Sequence, residues 1–151
     1  MSYLADTNVA ARWVLPGDLN YSTIRNAVFA LQAQHEIIYI TPQVLVEFHA
    51  LATRPIVANG LGWTAQAARA EALLIEAMFP LLAETAAVYP PWGALIDAYG
   101  ILGRQVYDAR LVAIMQAHGV SHILTMNPTH FRRFSGITVV EPSTIINSPS
   151  S

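Results

Sequence analysis

With 151 residues, the chain has room for one compact domain that buries roughly two thirds of the surface its unfolded form would expose. Cysteine is absent, which excludes disulfides, thiolate zinc sites and thiol nucleophiles, and the eight basic residues are all arginine, which excludes a P-loop or Schiff-base lysine. A formal charge of −2 leaves no overall basic footprint for nucleic acid, although Arg104, Arg110, Arg132 and Arg133 make the C-terminal third locally basic.

Tyr3-Leu4-Ala5 is a short apolar run ending in Asp6-Thr7-Asn8, a strand followed by a turn into a helix over Val9 to Leu15, which Pro16-Gly17-Asp18 stops. Ile24, Ala27, Val28 and Leu31 recur at helical spacing within Asn20 to Gln34, and the β-branched run Ile37 to Ile40 reads as a second strand. Thr41-Pro42 is a helix start, with Thr as N-cap and Pro in the first turn, and the helix Gln43 to Thr53 presents Val44, Leu45, Phe48, Leu51 and Ala52 to a core before Arg54-Pro55 ends it. After a loop over residues 59–62 comes an alanine-rich helix from Ala65 to Phe79, then a third strand over Pro80 to Ala83 and a break at Tyr89-Pro90-Pro91. Helices are expected over Ala94 to Gly103 and Asp108 to His118, the latter closed by Gly119. Strands over His122 to Met126 and Ile137 to Val140 follow, separated by at most a helical turn within Pro128 to Phe134, and a Ser- and Pro-rich tail is expected to fray from Pro142. Strands alternating with helices imply an α/β fold, a single domain whose central parallel sheet is covered on both faces, with ligands collecting at the carboxyl ends of strands.

No basic segment followed by an apolar stretch opens the chain, because Asp6 interrupts the first apolar residues. Residues 111–131 lack Asp, Glu, Lys and Arg but include three His with Asn, Gln, Gly and Pro, so neither a signal peptide nor a membrane span is expected. The chain reads as a soluble cytoplasmic protein. Its 54% hydrophobic content and mean hydropathy of +0.39 are high for a lone monomer, and a partner is expected to cover part of the apolar surface.

Four residues stand out against this apolar background. Asp6 and Asn127 lie at the ends of two strands, while Glu47 borders the apolar stripe of its helix and Asp108 precedes Leu111 and Val112 by three and four residues, on a buried face. Each has a bland reading. Asp6 would cap the helix that follows, though Thr7 or Asn8 would supply that cap; Glu47 would be a surface glutamate facing water or Arg54; Asp108 would be an acid favoured by the helix dipole; Asn127 before Pro128 would be an N-cap. Carboxylates seldom occupy half-buried positions unless a cation or a hydrogen-bond network holds them, and three such acids suggest a divalent metal. Phosphodiester hydrolysis needs a nucleophilic hydroxide and neutralisation of the phosphate oxygens, which hard oxygen-ligated cations supply. The five histidines are read as surface or structural, and Trp13, Trp63 and Trp92 as core or interface anchors rather than a base-stacking platform.

Asp6-Thr7-Asn8, the Pro42 to Pro55 segment with Glu47 and Ala52-Thr53-Arg54-Pro55, Tyr107-Asp108-Ala109-Arg110-Leu111-Val112-Ala113 through His118-Gly119-Val120, Ile123-Leu124-Thr125-Met126-Asn127, Phe131-Arg132-Arg133-Phe134 and Pro142 together resemble a PIN-domain protein, closest to the VapC-type ribonuclease toxins of toxin–antitoxin pairs. The resemblance spans nearly the whole chain, with residues 107–142 its specific part. It implies a three-layer α/β/α sandwich, a PIN-like nuclease domain over residues 1–142 and a flexible tail over 143–151, an Mg²⁺- or Mn²⁺-dependent endoribonuclease activity on RNA, a homodimer and a cognate antitoxin. Asp6, Glu47 and Asp108 become the metal-binding acids, Asn127 stands where many members place a fourth acid, and Asn8 and Thr125 become supporting groups. The chain departs from the pattern at His130, where many relatives with Asn at the fourth position carry Asp, and at Tyr107, where a His is frequent; the first departure leaves one or two ions open. The alternative reading is a catalytically weak or silent PIN module that binds RNA or protein. A third, a phosphotransfer or small-ligand domain with Asp6 as nucleophile, is disfavoured by the missing lysine and by Asn8, which is not an acid.

Overall fold

The computed structural model describes residues 1–147, and among these four strands and seven helices build a three-layer α/β/α sandwich. Strands β1 (Ser2–Ala5), β2 (Ile37–Tyr39), β3 (His122–Leu124) and β4 (Thr138–Val140) form one parallel sheet in the order β2-β1-β3-β4. β1 is central, with Leu4 aligned to Tyr39 on one side and Ile123 on the other. Tyr3, Leu4, Ala5, Ile123 and Leu124 are all buried, the unbroken apolar run expected of a sheet covered on both faces. The expected third strand at residues 80–83 is reduced to a single bridge, in which Pro80 O accepts from the Ile40 N–H and Ile40 O from the Leu82 N–H. Proline at 80 has no N–H with which to extend a ladder.

The helices are α1 (Thr7–Trp13), α2 (Tyr21–Ala33), α3 (Pro42–Thr53), α4 (Ala65–Met78), α5 (Tyr89–Tyr99), α6 (Gln105–His118) and α7 (Pro142–Ile146). The Thr41 hydroxyl accepts from the Val44 N–H, capping α3 with Pro42 in its first turn, and the Thr64 hydroxyl caps α4 through the Ala67 N–H. α5 starts where a break was expected: Pro90 and Pro91 occupy its first turn, where an N–H has no helical partner, and Gly100 at φ 60° caps it after Tyr99, four residues before the expected end at Gly103. α6 starts one turn earlier than expected, so Asp108 sits in its first turn rather than at its first residue, and Gly119 at φ 68° closes it as expected. The segment expected to fray from Pro142 instead begins with α7, which packs on α2 and buries Pro142; residues 148–151 of that expected tail lie outside the described residues.

The core lies between sheet and helices, where Leu4, Val9, Ala10, Phe48, Val112, Ile114, Met115, Ile123 and Leu124 are fully buried. β1 and β3 run side by side, so their carboxyl ends bring Asp6 next to Thr125, with the first turns of α1 and α6 and the first half of α3 arranged around them. Among the described residues no helix is long and apolar enough to cross a membrane.

Candidate active site

Asp6 follows β1 directly and is only 6% exposed. It is the N-cap of α1: its Oδ1 accepts from the Thr7 N–H at 2.8 Å. The capping role assigned to Thr7 or Asn8 therefore falls to Asp6, because both neighbours are engaged elsewhere. Thr7 Oγ1 donates to Glu47 Oε2 at 2.8 Å, while Asn8 donates through Nδ2 to Asp6 Oδ2 at 3.2 Å and accepts through Oδ1 from the Met126 N–H at 3.1 Å. The fully buried Thr125 hydroxyl donates to Asp6 Oδ2 at 2.8 Å and accepts from the Asn127 N–H at 3.0 Å. Capping and convergence coexist in one carboxylate, which is why neither alone explains Asp6.

Glu47, half-buried on α3, faces neither open water nor Arg54. Its Oε1 accepts from Gln43 Nε2 at 2.7 Å, one helical turn earlier, and its Oε2 from Thr7. Asp108 lies across from both, with Oδ2 at 3.5 Å from His130 Nδ1. Asp6, Glu47 and Asp108 are close enough for their charges to act on one another. Burial lifts the Asp6 carboxyl above its ordinary range; the Thr125 hydroxyl and Thr7 N–H pull it back, and the Glu47 charge adds to the rise. Burial also pushes Asp108 up, to about 6, with the charges of Asp6 and Glu47 raising it further while His130 and Arg133 oppose them. Asn127 is exposed at the same edge; it is tied to the group through its backbone, and its side chain makes no hydrogen bond among the described residues.

Sequence reasoning missed the network beside these acids. Gln43 is buried and fully committed: Nε2 also donates to Tyr107 O at 2.9 Å, Oε1 accepts from Arg110 Nη1 at 2.7 Å, and its backbone N–H donates to Glu84 Oε1 at 2.7 Å. Arg110 Nη2 closes an ion pair with Glu84 Oε2 at 2.8 Å. The available signal was Gln43 four residues before Glu47, and Arg110 two after Asp108. Nothing local pointed to Glu84, which reaches the group from the loop after α4. His118 and His122 have the spacing H-x-x-x-H, but Gly119 ends the helix between them. His118 Nε2 bonds Ala83 O and His122 Nδ1 bonds the Ser121 hydroxyl, so this spacing assembles no ligand pair.

The donor set is all carboxylate and amide oxygen, the chemistry of hard divalent cations rather than zinc. Among the described residues no three His, Asp or Glu side chains form a ready-made cage. Among the described residues no Lys or Arg forms an ion pair with Asp6, Glu47 or Asp108; Arg133 acts on Asp108 only from a distance, and burial is the main cause of the raised Asp6 and Asp108.

The PIN domain family model matches residues 3–137. Solved structures share the fold at low identity. VapBC from Salmonella typhimurium bound to DNA has 16% identity and TM-score 0.69, covering 94% of this chain and 98% of that chain. VapBC2 from Rickettsia felis, bound to a DNA fragment from its promoter, has 18% identity and TM-score 0.68, covering 93% and 98%. Mycobacterium tuberculosis VapC20, a sarcin-ricin loop cleaving toxin, has 19% identity and TM-score 0.62, covering 89% and 98%. No curated protein matches the sequence.

Proposed function

The chain belongs to the PIN-domain family, and from that premise we propose that it is a divalent-metal-dependent endoribonuclease, the toxin of a VapC-like type II toxin–antitoxin pair acting in the cytoplasm. The observation that carries this is the convergence of Asp6, Glu47 and Asp108, distant in sequence, at the carboxyl edge of a parallel sheet, where burial first and the neighbouring acids second raise Asp108 to about 6. Likeness to VapBC structures over nearly the whole chain supports the toxin reading.

Asp6 and Asp108 would hold Mg²⁺ or Mn²⁺, with Glu47 binding it or orienting a water and Asn127 offering a neutral oxygen at the exposed side. When bound, the ion supplies charge neutralisation at the phosphate oxygens and a water of lowered pKa. Thr125 and Asn8 hold the Asp6 carboxylate and Thr7 and Gln43 that of Glu47 by neutral donors, so these two acids stay oriented while their charge remains uncancelled. His130, against Asp108, stands where a second acid would extend the donor set, which favours one tightly held ion.

Exposed apolar residues support the proposed partners. On α4 Leu73 and Leu74 are 55% and 57% exposed, and a cavity of about 460 Å³ opens beside them between α1, α2 and α4, lined by Trp13, Tyr21, Arg25 and Met78. This first-half surface is the proposed ground for the antitoxin and for a homodimer.

The test is cleavage of total RNA with and without Mg²⁺ or Mn²⁺, with Asp108→Asn as control. Metal-dependent cleavage lost in that variant is the expected result. Cleavage that survives Asp6→Asn combined with Asp108→Asn would refute the assignment, and only weak Mn²⁺ binding without any cleavage would leave the silent RNA- or protein-binding module.

A further inference from the structure

Beside the acid cluster, a second cavity of about 350 Å³ is lined by Thr85, Val88, Tyr89, Trp92 and Arg110. Its wall is aromatic: the Tyr89 and Trp92 rings stack at 5.8 Å between centroids, with 30° between planes. Trp92 is anchored, its indole N–H donating to Val106 O at 2.9 Å. Tyr89 is 71% exposed, an unusual cost for a ring whose partner is already held in place. Trp13 and Trp63, by contrast, pack on Phe79 and Phe48 as the sequence suggested.

The cavity is one relay away from the proposed chemistry. Arg110 donates to Gln43, and Gln43 donates to Glu47 and to the carbonyl of Tyr107, the residue before Asp108. Glu84 balances the Arg110 charge at 2.8 Å, so the cavity does not call for an anion. What it offers is a flat π surface, a planar guanidinium with two of its N–H donors committed to Gln43 and Glu84, and an apolar side at Val88. A neutral planar ring with polar edges matches that set.

We infer that the Tyr89–Trp92 stack and Arg110 form a subsite for a nucleobase of single-stranded RNA, flanking the phosphate that sits at Asp6, Glu47 and Asp108. The inference rests on the ribonuclease reading and adds to it a specificity-determining contact. The phosphate would take the metal-bearing edge, and the adjacent base would leave its neighbours to lie on Tyr89. Base stacking tolerates every base, so preference among bases would come from the edge contacts of Arg110 and Thr85.

The experiment measures binding of a labelled single-stranded RNA of mixed sequence, and of the same RNA carrying abasic sites, to the wild-type chain, Tyr89→Ala and Tyr89→Phe in Mg²⁺. Cleavage and oligomeric state are recorded on the same preparations. Tyr89 is exposed and its variants leave the Trp92 anchor intact. Tyr89→Ala is expected to weaken RNA binding by roughly 5- to 100-fold, the range for one lost base stack. Tyr89→Phe should restore wild-type binding, and abasic RNA should erase the difference between wild type and Tyr89→Ala. Wild-type cleavage with unchanged RNA binding by Tyr89→Ala overturns the subsite and spares the ribonuclease. A change in oligomeric state with unchanged RNA binding overturns it in favour of a second copy of the chain on this face. A wild-type chain that neither binds nor cuts RNA overturns both readings.

Discussion

The acid cluster around Asp6 and the ion pair around Glu84 are neighbours joined through Gln43, yet they handle buried charge in opposite ways. Glu84 meets Arg110 at 2.8 Å and the Gln43 N–H at 2.7 Å, so its charge is cancelled within the protein. Among the described residues Asp6 and Glu47 accept hydrogen bonds only from neutral donors, and Asp108 has His130 at 3.5 Å with Arg133 acting from further away. Among the described residues the Arg–carboxylate ion pair at this edge is the one between Arg110 and Glu84. The difference is what the proposed metal site rests on: the unpaired acids are the group proposed to take a cation from outside.

The strongest way to break this contrast is Asp108→Asn, which should lower metal-dependent RNA cleavage by roughly a thousandfold, the loss of several kcal/mol of charge stabilisation. Single-turnover cleavage with Mg²⁺ reads it. Unchanged cleavage would place the chemistry elsewhere.

The same residue sharpens the contrast through stability. Folded Asp108 holds its proton up to about 6, against an ordinary value of 3.8, so between those limits the folded state binds more protons than the unfolded one. Stability of the metal-free chain should therefore fall as pH rises through this window, the reverse of a salt-bridged acid. At pH 7 the penalty is on the order of 2–3 kcal/mol, and buried Asp6 adds to it in the same direction. Urea unfolding at pH 5 and pH 7 without metal should show it; Asp108→Asn should reduce the slope, leaving the part that Asp6 contributes, and be the more stable chain at pH 7. Added Mg²⁺ should stabilise the wild type and not the variant.

Gln43→Leu severs the joint between the two regions. It strips one donor from Glu47 and one from Tyr107 O and leaves Arg110 Nη1 without its acceptor, a cost of about 2 kcal/mol in urea unfolding. Thr125→Val is the mildest probe. It removes one donor from Asp6 while keeping the buried volume, and should reduce cleavage or Mg²⁺ affinity by about tenfold with a stability change under about 1 kcal/mol. A larger loss of stability than of activity would make Thr125 a fold residue first.

Much of this was legible in the residues. β1, β2, α3, α4 and the Gly119 stop of α6 follow from apolar periodicity, the Thr41-Pro42 start and glycine at φ 68°, all local properties. Asp6, Glu47 and Asp108 stood out as acids on otherwise apolar faces. The errors were local signals with two solutions. Pro90-Pro91 reads equally as a break or a first helical turn, and Pro142 as the start of a tail or of α7, which α2 holds in place by packing.

The amino-acid sequence by itself determined the alternating elements, the parallel sheet and the identity of the acids, because these depend on period, caps and the cost of burying charge within short segments. Only the tertiary structure decided which charges stay unbalanced. Glu84 and Arg110 lie 26 residues apart and Asp6 and Thr125 119 apart, and no local rule says which distant donor will reach which carboxylate. Strand order and the packing of α3 and α6 beside the carboxyl ends of β1 and β3 settle that. Among the described residues they leave Asp6, Glu47 and Asp108 without an arginine ion pair while supplying one to Glu84.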